Sequence, residues 1–149
     1  MKKYNFKLEP LLSHRQFLED ALQKEFAEKE RQAAQARHIA KSLEEEYLHL
    51  AEELKEKMQA PRAASENALY ATYLASLSDQ INKQQQRVQE ADKERDEKKT
   101  ALLEAVKNRK MVEHLKEVGL DQFKQVYLKK EQAFSDEIGI QQHSRKSIT

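Results

Sequence analysis

Residues 26–54 read FAEKERQAAQARHIAKSLEEEYLHLAEEL, and their spacing decides the fold. Alternating steps of three and four residues from Phe26 pass through Lys29, Ala33, Ala36, Ala40, Leu43, Tyr47, Leu50 and Leu54. Every member except Lys29 is apolar. A repeat that averages 3.5 residues keeps one stripe facing a partner helix and predicts a left-handed coiled coil. The middle of the stripe is alanine. Helices approach closely there but bury little area, because an alanine side chain contributes far less than a leucine at ~25 cal/mol per Å².

Upstream, Leu11, Arg15, Leu18 and Leu22 keep the same rhythm. Joining Leu22 to Phe26 takes two consecutive four-residue steps, a stutter that locally unwinds the supercoil. Pro10 sits where a first helical turn tolerates it. Beyond it, neither Gly nor Pro occurs before Pro61. The reading is a first helix over about 8–58, roughly 75 Å long at 1.5 Å per residue.

The run MQAPRAAS over residues 58–65 interrupts this helix. Pro61 disfavours a helical Ala60 and cannot sit inside a helix without kinking it. A short turn at about 59–65 between two long helices predicts an antiparallel hairpin, with Ser65 as the candidate cap of the second helix. Tyr70, Leu74, Leu77 and Ile81 then open a second stripe. It continues through Gln84, Val88, Ala91, Arg95, Lys98, Leu102, Ala105, Arg109 and Val112. The polar stretch around Val88 and Ala91 is expected opposite the alanine zone of the first helix, so the weak parts of both seams face each other. Gly119 is expected to end or loosen the helix, with Asp121 capping a restart. Phe123, Val126, Tyr127, Phe134 and Ile138 extend the apolar stripe. The second helix is placed at about 66–138 and a frayed tail at 139–149, all within one coiled-coil domain, 1–149.

Composition agrees with an all-α, long antiparallel two-helix coiled-coil hairpin. The 149 residues include 36% charged residues, only 2 Gly and 2 Pro, and no Cys. That is the profile of long helices around a narrow seam. With 27 basic and 26 acidic side chains, no basic excess drives binding to nucleic acid. The absence of Cys excludes disulfides and Cys-based zinc sites, and fits a reducing compartment. No apolar run reaches the length of a signal peptide core or a membrane span, so no direct membrane insertion is expected.

Chemistry is missing as well. His14, His38, His49, His114 and His143 never pair at helical i,i+3 or i,i+4 spacing, so no helical metal site is read. Two glycines cannot build a phosphate-cradling loop. No pocket-forming core surrounds any carboxylate. The chain is therefore read as a binding protein, with no catalytic residue and no cofactor.

The N-terminal run YNFKLEPLLSHR, residues 4–15, puts Phe6, Leu8, Leu11 and Leu12 just ahead of the heptad helix. Residues 70–84 read YATYLASLSDQINKQ, and 102–115 read LLEAVKNRKMVEHL, followed further on by the acidic EQAFSDEI. Over nearly the whole chain this arrangement resembles the FliJ family of flagellar export proteins. The resemblance implies a component of the flagellar type III export apparatus, similar to the central stalk of rotary ATPases. Its implied partners are the hexameric export ATPase ring, the cytoplasmic domain of the membrane export gate and flagellar export chaperones. Its implied location is the cytoplasm, peripheral to the membrane through that apparatus. The ring would meet the paired chain ends. The gate-binding surface implied by the resemblance comprises Leu43, Tyr47, Leu50, Tyr73, Leu77, Gln80 and Gln84. Leu43, Tyr47, Leu50 and Leu77 also lie on the seam, so packing between the helices is the competing reading for them. Tyr73, one residue before the seam member Leu74, is the candidate exposed aromatic anchor. The equivalent stalk of a virulence injectisome and a generic coiled-coil tether are the alternative functions.

Overall fold

In the computed structural model, which describes residues 2–59 and 64–148, two helices account for almost everything. α1 spans Glu9–Lys57 and α2 spans Ala64–Ile148. No strand occurs among the described residues. The helices pack against each other as an all-α antiparallel coiled-coil hairpin. Residues 60–63, and with them Pro61, lie outside the described residues. α2 begins at Ala64, so Ser65 stands inside its first turn rather than at the cap.

Two sequence expectations about α2 are corrected. Gly119 neither ends nor restarts the helix, and residues 139–148 continue it. Neither glycine has a positive φ. A glycine costs ~1 kcal/mol in a helix, a local penalty that the good helix formers around it outweigh. Short bonds one turn apart, such as Gln132 Nε2 donating to Asp136 Oδ1 at 3.1 Å, support the last turns.

The chain divides into two compact units, Asp20–Glu104 and the combination of Met1–Glu19 with Ala105–Thr149. Within the first, Lys98 pairs with Glu25 at 2.9 Å, Lys29 with Glu94 at 2.9 Å and Arg37 with Asp92 at 2.6 Å. Advancing along α1 meets receding positions on α2, which is the antiparallel register. The core of this unit is narrow: Ala33 is completely buried, Ala40 and Leu77 nearly so. Between the two alanines the backbones come close enough for Gln84 Nε2 to donate to the Ala36 carbonyl oxygen at 3.0 Å. The charged seam members Arg95 and Lys98 do not enter the core. Their heads reach the rim and pair with Asp92, Asp96 and Glu25.

Among the described residues of the second unit, Leu12 and Val112 are the buried ones. The heptad count places Leu11 on the seam, but Leu11 is exposed and Leu12 faces inward. The expected stutter is corrected: counted back from Phe26 in unbroken steps of four and three, the stripe runs through Leu22, Glu19 and Arg15 to Leu12, and all of these are buried or half-buried. Arg109 takes its seam position by pairing with Glu19 across the unit and with Glu113 at 2.8 Å on its own helix. Lys116 reaches Glu9 at 2.8 Å.

Candidate partner-binding surfaces

The Asp20–Glu104 unit carries an apolar groove of about 270 Å³, lined by Leu50 of α1 and by Leu69, Tyr70 and Tyr73 of α2. Tyr70 and Tyr73 are three residues apart and so share a helix face. Both rings are held by their hydroxyls. Tyr73 donates to Glu46 Oε1 at 2.7 Å, and Lys57 Nζ donates to the Tyr70 hydroxyl at 2.7 Å. Lys57 Nζ also pairs with Glu53 at 2.9 Å and stands 5.2 Å from the centroid of the Tyr70 ring. The Tyr70 hydroxyl and then Glu53 push the Lys57 pKa up. The hydrogen bond to Glu46 does the same to Tyr73. An aromatic pair with fixed rings and an apolar floor has the composition of a protein-binding hot spot.

The residues expected to face a partner fall into three environments. Tyr73 is 48% exposed and Gln80 is exposed. Leu43, Tyr47 and Leu50 are half-buried. Leu77, 2% exposed, and Gln84, 5% exposed, are inside the seam. Their place is set by the heptad: both lie on the stripe from Tyr70 through Ile81 to Val88, and the facing alanines leave room for the Gln84 amide. The structure brings Leu50 and Tyr73 together in the groove. Leu43, Tyr47 and Gln80 do not line it. Leu69, at 71% exposure, is the residue that heptad reading passes over. The signal for it is an aliphatic residue one position off the stripe, directly before Tyr70.

The other unit carries a groove of about 510 Å³ floored by Phe123, Val126, Tyr127 and Phe134, with Lys2 and Lys130 at its rim. A hydrogen bond to Glu131 holds the Tyr127 pKa above its ordinary value. The Tyr4 ring lies against Phe123 with centroids 5.5 Å apart. From Leu128 to Ser147 every side chain of α2 is exposed, Phe134 and Ile140 among them.

Among the described residues no group of His, Cys, Asp and Glu is arranged to hold a metal ion. Nor is any helix long and apolar enough to cross a membrane. An antiparallel helical hairpin with an aromatic groove on each unit defines a coiled-coil protein of the interaction class. The family profile described as flagellar FliJ protein matches residues 4–147, and the chain belongs to the FliJ family, whose members are non-enzymatic components of flagellar protein export. No curated protein and no solved structure matches it.

Proposed function

We propose that this chain is the stalk-like coiled coil of a flagellar type III export apparatus, acting at the cytoplasmic face of the membrane. The family match over residues 4–147 carries this reading. The unit of paired chain ends enters the export ATPase ring. The groove of Leu50, Leu69, Tyr70 and Tyr73 binds the cytoplasmic domain of the export gate, with Leu43, Tyr47 and Gln80 extending the contact. Leu77 and Gln84 act beneath that surface by holding the two helices in register. Emptied export chaperones are carried by the same protein. A ring binds an asymmetric rod differently from one subunit to the next, so the rod biases which subunit closes and couples nucleotide turnover to the gate.

Co-purification with the export ATPase and with the gate's cytoplasmic domain, with and without nucleotide, tests the proposal. Binding to both is expected, together with stimulation of ATP hydrolysis by the ring. Binding to neither would leave only a generic tether. The flagellar reading is favoured over the injectisome by the family matched, which is flagellar.

A further inference from the structure

Gly119 lies deep inside α2, where no positive φ calls for glycine. Glycine weakens a helix interior, so its presence there points to a packing reason. Tyr4 supplies one. Its hydroxyl oxygen occupies the space where a Cβ at position 119 would stand, and the ring carbon Cζ behind it is 3.2 Å from that point. Gly139, twenty residues on in the same helix, has nothing within 4 Å of its own Cβ position. The two glycines of α2 are therefore in different situations, and only one is a notch.

The contact fixes a segment that has no other regular structure. Residues 2–6 precede the turn at Lys7 and Leu8 and form neither helix nor strand. They join α1 through the Glu9 N–H bond to the Phe6 carbonyl at 3.1 Å. With its hydroxyl at Gly119, Tyr4 lays its ring against Phe123 at 5.5 Å and near Phe6 at 6.5 Å. Phe123 is half-buried as a result, and Lys2 comes to the rim of the groove formed with Val126, Tyr127 and Phe134. We propose that Tyr4 and Gly119 form a latch that straps the N-terminal lead onto α2. They are positioning residues: the latch builds one side of the groove and sets how much of Phe123 a partner meets. The inference concerns this chain alone and stands whether or not that end of the protein enters the ATPase ring.

The test compares Gly119→Ala, the double variant Tyr4→Phe with Gly119→Ala, and Gly139→Ala in the full chain. The readouts are tryptic cleavage after Lys3 and Lys7 and the cross-relaxation between the Tyr4 and Phe123 rings. Cleavage follows the population of the opened lead. Gly119→Ala is expected to speed it about tenfold, on the scale of losing one aromatic contact, and to abolish the cross-relaxation. Tyr4→Phe removes the oxygen that collides with the new methyl group, so the double variant regains most of the protection. Gly139→Ala leaves both readouts unchanged. The latch is overturned if Gly119→Ala merely raises the melting temperature with the lead as protected as before. It is equally overturned if removing the Tyr4 oxygen rescues nothing.

Discussion

Gln84 Nε2 donates a hydrogen bond to the carbonyl oxygen of Ala36 on the facing helix, 3.0 Å away, from a side chain only 5% exposed. A buried polar residue at a seam position forms its bond in one register and is left unpaired in others, a device that coiled coils use to select register. The Ala36 carbonyl keeps its own helical partner if Gln84 is lost, so it is not orphaned. Gln84→Ala should therefore lower stability by about 1–2 kcal/mol through the lost bond and packing. Gln84→Leu should come within ~0.5 kcal/mol of the parent or exceed it. Urea unfolding followed by circular dichroism measures both, and equal losses in the two variants would count against the register role.

Leu77 is the largest fully buried side chain among the described residues. Leu77→Ala should cost about 2–3 kcal/mol, the lower part of the range for core leucines because a two-helix seam collapses readily around the gap. Leu69→Ala, at a position 71% exposed, should stay within ~0.5 kcal/mol. Thermal melts of the two variants side by side distinguish a seam residue from a surface one.

On the proposed function, binding to the gate domain should show the reverse ranking. Tyr73→Ala and Leu69→Ala should each weaken it about tenfold or more while leaving the melting temperature nearly unchanged. Titration calorimetry with the isolated gate domain measures this. Unaltered affinity in both variants would remove the groove from the contact.

In the pairing of Arg109 with Glu19 both side chains are well shielded, at 21% and 18% exposure, and Arg109 also reaches the more open Glu113. Both carboxylates push the arginine pKa further up. Arg109→Ala should clearly lower the melting temperature, because it leaves the part-shielded Glu19 carboxylate without its partner. Arg31→Ala breaks the exposed pair with Glu28 and should lower the melting temperature only slightly. Repeating the melts at 1 M salt should erase the Arg31 effect and leave most of the Arg109 effect.

The hydrogen bond from Tyr73 to Glu46 raises the tyrosine pKa. A raised value means that the fold favours the neutral phenol. Its contribution is fully present below the unfolded tyrosine value of ~10 and is lost as pH climbs through the raised folded value. Glu46→Gln should bring the Tyr73 titration down towards the ordinary range, read from its ring resonances between neutral and strongly alkaline pH. A titration point that ignores the substitution would show that the bond does not form in solution.

The heptad of residues 26–54, the scarcity of Gly and Pro and the Pro-containing run after it were enough to determine two long helices and their antiparallel pairing. Periodicity is a local property, and any helix with such a stripe must cover it. The reading of Tyr73 as an exposed aromatic also needed only its offset from Leu74. Other features were decided by the tertiary structure. Leu12 rather than Leu11 turns inward because the unbroken heptad runs back from Phe26 through Glu19, a charged residue that holds a seam position only by pairing with Arg109 on the other helix. Leu69 lines a groove only because Leu50 arrives from the other helix. Gln84 is buried because the alanines opposite it leave room for its amide. Gly119 reads as a helix breaker one residue at a time, and becomes a notch once Tyr4, more than a hundred residues earlier, is packed against it. Propensity is a property of single residues and is worth about 1 kcal/mol at most positions. Where a position's role depends on what the fold brings next to it, no local pattern in the chain carries that information.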